Sequence, residues 1–409
     1  MTQSSLRREL GLWGAVGLGL GSILGTGVFV SLGLAAAVAG EGVLLAIPLA
    51  GFLALGNALG SAQLAAAYPV SGGAYEYGYR LLSPSAGRLA GWSFLLAKSA
   101  SAAAALLALG ALAGVGPALA IGILLVLTAL VVQGVRRSNA VNACLVTFIL
   151  GALAFFVAQI EAPPPLRGAI DAAMARPGAL LEATALAFVA YTGYGRLATM
   201  GEEVRDPTRT IPRAILTAMF ITVAVYALVA WAAIDAVGVH EWGELASRGA
   251  GLGELAALGS RQAAANWLFA AAIAALIGVV LNLLLGLSRM ALAMSRRGDL
   301  PSALMAIDGE KNSPRKAVYF VAALILAFVA VGSLKGAWAF SAASVLLYYA
   351  INNLAAFRLP PDQRRYPRII AAISAAGCVL LAPALGWQVG LLVLGAVVSG
   401  AFVTFHVKK

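Results

Sequence analysis

Metal-binding and nucleophilic side chains are nearly missing from this chain. Its 409 residues hold two histidines and two cysteines. His240 and His406 lie far apart in sequence, with no metal-ligand spacing between them. Cys144 and Cys378 each sit inside an apolar run and form no disulfide or metal pattern. No metal, no cofactor and no catalytic constellation is therefore expected, and an enzyme is set aside. Charge is the second shortage. Asp, Glu, Lys and Arg make up 11% of the residues, against about 25% in soluble domains. With 61% hydrophobic residues and a mean hydropathy of +0.90, the chain reads as an integral membrane protein.

Long apolar runs are what the chain has instead. Twelve segments emerge, near 11–39, 42–67, 87–113, 116–135, 139–160, 180–203, 213–236, 264–292, 316–333, 337–357, 368–384 and 386–406. At about 20 residues per span they need roughly 240 residues, which leaves short loops and no soluble domain. The stretch 240–261 is too polar to span and is expected as short helices over the outer mouth. Arg7, Arg8 and the following apolar run imitate a signal peptide. That run is about twice the usual length of a signal core, so it is taken as a retained first span.

The net charge of +11 invites a nucleic-acid reading, but its distribution removes the need for one. With the N-terminus placed inside, 22 of the 28 Lys and Arg residues fall in inner segments, five in outer loops, and Lys98 within a span. This is the positive-inside bias of a membrane protein. Both termini are then cytoplasmic. A channel is disfavoured too, since there is no repeated filter and no ring of charges.

The first run, Leu10 to Gly40, holds seven glycines from Gly14 to Gly33. Each weakens a helix interior by roughly 1 kcal/mol relative to alanine. Two readings fit: small residues for close helix packing, or a break at Ser22, Ile23, Leu24, Gly25, Thr26 and Gly27. Irregular backbone survives at membrane depth only where protein or a cavity covers it. A helix restarting near Gly27 would aim its positive end at mid-membrane, a seat for a carboxylate. Five spans later, Gly193 and Gly195 flank Tyr194 in the middle of the sixth run. Five is odd, so the two interrupted helices run in opposite directions. That pattern marks an inverted-repeat transporter and favours the break.

These residues resemble the amino acid–polyamine–organocation (APC) transporters. The resemblance rests on GSILGTGVF at 21–29, YPVSGGAYEY at 68–77, GWSF at 91–94, FVAYTGYG at 188–195, EEVRDPTRTIPRAI at 202–215, SRMALAMSRRGDLP at 288–301 and YYAINNLAAFRL at 348–359. It covers nearly the whole chain. It implies an all-α membrane fold of twelve transmembrane helices, a LeuT-like five-plus-five inverted repeat with helices 1 and 6 unwound at mid-membrane. Residues 1–409 are then one domain, with repeats at 11–160 and 180–357 and two added helices at 368–406.

The resemblance also implies an amino acid as substrate. Ser22, Ile23, Leu24, Gly25, Thr26 and Gly27 match the segment that holds its carboxylate. The carbonyls of Phe188, Val189 and Ala190, with Tyr191 and Thr192 beside them, match the segment that receives its ammonium. The physics of helix ends agrees, since N-termini favour the anion and unpaired carbonyls the cation. Tyr191 is read as a lid, with ordinary aromatic packing as the alternative. Glu202, Glu203, Arg205, Asp206 and Arg209 form a mixed-charge loop whose default is a solvated face. In the family they are expected in inner-gate ion pairs with the 68–88 loop, for instance with Arg80 or Arg88.

Lys98 lies halfway along the third run, with Ser99 and Ser101 beside it. An ionisable group at that depth is a functional candidate; the alternative is a lysine that snorkels or satisfies buried carbonyls. Removal from water disfavours the charged amine, which makes Lys98 the candidate for proton coupling. Several relatives carry a lysine in the fifth span where a sodium ion would sit, and residues 139–160 contain none. Sodium is disfavoured separately, because 264–287 has no Ser or Thr and Asn282 is its one mid-helix polar group. Asn282 is placed with the substrate-facing residues. No Asp or Glu lies mid-span, so cationic substrates are disfavoured as well.

The expected function is secondary active transport of neutral L-amino acids across a bacterial inner membrane, proton-coupled and sodium-independent. An exchanger, or an amine or polyamine carrier of the same fold, is the alternative. The expected partners are the small-molecule substrate, protons and the lipid bilayer, with no nucleic acid and no obligatory protein partner.

Overall fold

The computed structural model describes residues 10–68, 72–134, 139–162, 165–198, 204–249, 251–259, 261–307 and 313–407. Every described element of regular structure is helical apart from one isolated parallel bridge, Leu10 to Val204. The first apolar run gives α1 (Leu12–Ile23), a π-helical turn (Gly27–Ser31) and α2 (Leu32–Ala39). The chain reverses through Gly40, at φ +59°, into α3 (Val43–Ala67). A short helix α4 (Ala74–Leu81) precedes α5 (Pro84–Leu112), α6 (Pro117–Val132) and α7 (Asn139–Val157). Next come α8 (Leu166–Ala175), α9 (Pro177–Tyr191), a 3₁₀ turn (Thr192–Tyr194) and α10 (Gly195–Ala198). The remainder is α11 (Pro207–Val237), α12 (Val239–Ser247), α13 (Leu252–Leu258), α14 (Gln262–Arg296), α15 (Arg315–Val331), α16 (Leu334–Phe357), α17 (Arg368–Leu381) and α18 (Trp387–Val407).

Among the described residues, seven helices are long and apolar enough to cross a membrane. The bent pair Leu166–Ala175 and Pro177–Tyr194, with a 111° angle, makes an eighth if it is one span. The first of the seven, Leu12–Ala67, contains the reversal at Gly40, and two further apolar helices are shorter. Residues 240–261 do form two short helices, α12 and α13. Two helices lie where only loops were expected, α4 and α8. Both are too short for an apolar period to stand out. Several starts lie earlier than hydropathy placed them, because proline is well suited to a first helical turn. Pro84 follows Ser83, whose hydroxyl accepts the Ala86 N–H at 3.1 Å. Pro207 likewise opens α11, whereas Pro212 lies inside that helix.

The helices pack in two groups. On one side α3 lies against α9 and α11, and α1 against α11. On the other, α5 packs on α6, α14 and α15. Helix α16 touches both groups through α3, α9 and α5. Close approach is possible because α5 is built of small residues: Ala97, Ser99, Ala100 and Ala102–Ala105 are all fully buried. Large apolar side chains such as Phe52, Phe220 and Leu392 point outward instead. An exposed belt of this kind is expected of a surface solvated by lipid rather than water.

Candidate functional site

The two interrupted segments meet. Helix α1 ends at Ile23. The Leu24 N–H still donates to the Leu20 carbonyl at 2.7 Å, but a ψ of 84° at Leu24 turns the backbone away. The Gly25 N–H closes on the Ile23 carbonyl at 3.0 Å before helix resumes at Gly27. Opposite it, α9 stops at Tyr191 and tightens into the 3₁₀ turn Thr192–Tyr194. Gly193 faces the Ser22 carbonyl so closely that an added methyl group would overlap it. Glycine is required here by the approach of one backbone to the other.

Tyr226 of α11 ties the segments together. Its hydroxyl, fully buried, lies 2.9 Å from the Ile23 carbonyl and 3.2 Å from the Ala190 carbonyl. A single O–H serves one of the two at a time. Gly27 makes room for it, since a Cβ there would strike the Tyr226 oxygen. The Tyr191 ring packs 5.0 Å from Tyr226, and its hydroxyl donates to the Ile47 carbonyl at 3.1 Å.

Lys98 reaches the same place. It is 8% exposed, and its Nζ donates to Thr192 Oγ1 at 2.7 Å. The Thr192 hydroxyl in turn donates to the Val189 carbonyl at 2.7 Å. The Tyr349 hydroxyl donates to the Thr192 carbonyl at 3.3 Å, and its ring meets Phe188 edge-on at 5.8 Å. Ser22, Ile23, Gly193, Val189, Ala190, Tyr191, Thr192 and Lys98 are thus brought into one neighbourhood. Ser22 turns its hydroxyl back to the Leu18 carbonyl at 2.9 Å. Gly25 packs on Val279 of α14, and Asn282 lies buried one turn further along that helix.

Three contributors were not picked out from the sequence. Tyr226 and Tyr349 stand in apolar runs and look like ordinary aromatic filling. Asn142 of α7 donates through Nδ2 to the Gly17 carbonyl at 2.9 Å, with Gly21 leaving space for its amide. This is the polar link from the fifth apolar run to the first, in the run that lacks the lysine of some relatives.

The inner-gate pairs expected from the sequence run through Glu202 and Glu203, which lie outside the described residues. Arg80 faces Glu76 of its own helix at 3.7 Å and stacks over the Tyr68 ring. Residues four apart share one face of a helix, which brings Arg80 beside Glu76. Helix α4 is held by the end of α14. Arg297 bonds Glu76 at 2.6 Å and lies 4.4 Å over the Tyr79 ring. Buried Asp299 accepts the Tyr75 hydroxyl at 2.8 Å and the Tyr79 hydroxyl as well. Burial, then the bond to Asp299, pushes both phenols well above their ordinary range, so they stay protonated donors. At the same end, the Arg205 N–H donates to the Leu10 carbonyl at 2.9 Å, joining the approach to α1 with the exit from α10.

Comparison with known proteins agrees with this geometry. The amino acid permease family matches residues 14–408. An uncharacterized transporter of Mycobacterium tuberculosis is 42% identical over 98% of this chain and 91% of its own. The branched-chain amino acid permease BcaP of Bacillus subtilis is 24% identical over 94% of this chain and 90% of its own. Cationic amino acid transporter 9, chloroplastic, of Arabidopsis thaliana is 31% identical over 74% of this chain and 58% of its own. With interrupted helices meeting at a buried amine and a family match over nearly its whole length, the chain belongs to the amino acid permease family of membrane transporters.

Proposed function

We propose that this transporter carries neutral L-amino acids into the cell by alternating access, driven by protons and not by sodium. The observation that carries the reading is the bond from Lys98 to Thr192, at the place where the two interrupted segments meet. The substrate carboxylate takes the N–H groups around Ser22 to Gly27, and its ammonium takes the carbonyls of Phe188, Val189 and Ala190. Tyr191 and Tyr226 close over the bound molecule, and Asn282 faces it from α14. Arriving substrate displaces the Tyr226 hydroxyl from the Ile23 and Ala190 carbonyls. Lys98 takes up and releases the coupled proton, and its bond to Thr192 transmits that change to the second segment.

In this reading there are twelve spans. The first five are α1 with α2, then α3, α5, α6 and α7. The second five are α9 with α10, then α11, α14, α15 and α16, inverted relative to the first, and α17 and α18 are additional. The basic segments face the cytoplasm, as do both termini, and the membrane is a bacterial inner membrane. No protein partner is required for transport. Relatives are named for branched-chain and for cationic amino acids, so names alone do not choose. A neutral substrate is supported by charge: among the described residues, the carboxylate of fully buried Asp299 is taken by Tyr75 and Tyr79, and that of nearly buried Asp235 by Arg261.

Uptake of radiolabelled amino acids into proteoliposomes tests this, with and without an inward proton gradient, on wild type and Lys98→Met. Wild type is expected to accumulate neutral amino acids with the gradient, and the variant to lose the dependence. Exchange driven only by internal amino acid would make the protein an antiporter. Movement of an amine and of no amino acid would overturn the substrate class.

A further inference from the structure

The interface between α5 and α16 holds polar groups that the chain itself leaves without partners. A buried helical hydroxyl can close on the carbonyl one turn back. Thr128, Thr184 and Thr222 all do so at 2.7 Å. Ser341 and Ser344 of α16, like Ser93 and Ser99 of α5, are fully buried and have no hydrogen-bond partner among the described residues. An unpaired hydroxyl in apolar surroundings is costly, and two on one face call for an occupant.

The register of the two helices says what they face. The start of α16 lies by the end of α5, since Leu334 and Ala111 both approach Gly249. Its end clusters with Tyr77, just before α5 begins. The helices are therefore antiparallel. The rings of Phe94 and Tyr348 meet at 5.0 Å across them. Lys98 and Ser101 lie four and seven residues after Phe94, and Ser344 and Ser341 four and seven before Tyr348. Those spacings put each trio on one helix face. Lys98 thus stands level with Ser344, and Ser101 with Ser341. The Lys98 amine already touches Thr192 and carries further N–H bonds.

We propose that this seam seats the substrate side chain and selects a carboxamide, that of glutamine or asparagine. The inference rests on the reading of the interrupted segments as an amino acid site. The side-chain carbonyl oxygen accepts from Lys98, and the amide N–H bonds go to the oxygens of Ser341 and Ser344. A neutral group that both donates and accepts suits an amine whose charge changes during the cycle. An apolar side chain would leave the serines unpaired and give the amine no partner beyond Thr192.

Binding of radiolabelled glutamine, alanine, leucine and glutamate to the purified full chain tests this, on wild type and on the Ser341→Ala/Ser344→Ala double variant. Glutamine is expected to bind about tenfold more tightly than alanine, the worth of one hydrogen bond. That ratio should fall toward one in the double variant. Thermal unfolding supplies a second readout. The variant should unfold no earlier than wild type, having lost unpaired hydroxyls, yet lose the upward shift that glutamine gives. A ratio near one in wild type, a ratio that survives in the variant, or glutamate binding more tightly than glutamine would each overturn the inference. If no amino acid binds at all, the transport reading beneath it falls first.

Discussion

The meeting point of the interrupted segments and the tie between α4 and α14 hold the molecule together by opposite means. At the first, the contacts are made by carbonyls, hydroxyls and one amine: Tyr226 on Ile23 and Ala190, Lys98 on Thr192, Gly193 against Ser22. At the second, two acids, an arginine and two phenols do the work. The difference follows from surroundings. Charge is expensive away from water unless hydrogen bonds hold it, as two phenols hold Asp299, and tolerable where it stays part-exposed, as at Arg297. A hydroxyl can leave one carbonyl for another at little cost, so a region that must take up and release a ligand is better built from neutral groups. Fixed charges suit a joint that keeps its shape.

The comparison breaks most sharply at Gly193. Gly193→Ala puts a methyl group into the Ser22 carbonyl and must push the two backbones apart. Misplacing a site by about 1 Å costs on the order of a hundredfold in rate. Uptake in proteoliposomes should fall by about that factor, with protein yield little changed. Gly195→Ala is the control, since its methyl group would meet only the Tyr349 hydroxyl, at 3.0 Å. Equal losses for the two variants would mean that backbone contact between the segments is not what limits transport.

The charged joint should fail differently, in stability before rate. Asp299 is fully buried and accepts two phenolic hydroxyls. Hydrogen bonds to a charged group are worth about 1.5–3 kcal/mol each. Asp299→Leu removes both and is expected to destabilise the protein by about 3 kcal/mol or more, read from unfolding in detergent. Asp299→Asn keeps an acceptor and should lose roughly half of that. If both leave stability intact while abolishing uptake, the joint is a moving part, and the contrast drawn above is wrong.

The same contrast explains what the sequence could and could not reveal. Membrane spans follow from apolar runs, and the interrupted segments follow from glycines where a lipid-facing helix gains nothing from them. Lys98 stood out as a lone charge. Thr192 was named too, but not as its partner, because it lies 94 residues away and only packing joins them. Tyr226 was hidden for a physical reason: in ITVAVYALVA a tyrosine adds to the apolar run, and its hydroxyl matters only once two broken helices offer it carbonyls. Arg80 was harder to place, because basic residues near an acidic loop fit several pairings. Its own helix neighbour Glu76 faces it at 3.7 Å, and α4 shows too few turns to announce itself as a helix. Arg297 and Asp299 sat in a quoted motif, yet nothing in that motif says that α4 is what they hold.

The smallest expected effect belongs to the ion pair within that joint. Arg297 and Glu76 keep 37% and 14% of their side-chain surfaces exposed. Water and salt therefore screen the pair, and exposed pairs are typically worth about 0–1 kcal/mol. A double-mutant cycle with Arg297→Gln and Glu76→Gln should give a coupling energy in that range at low salt, shrinking as ionic strength rises. Stacking over the Tyr79 ring is independent of Glu76, so Arg297→Gln alone should cost more than Glu76→Gln alone. A coupling well above 1 kcal/mol that ignores salt would place the pair in a dry environment. The division between a neutral centre and a charged, watered end would then have to be redrawn around α4.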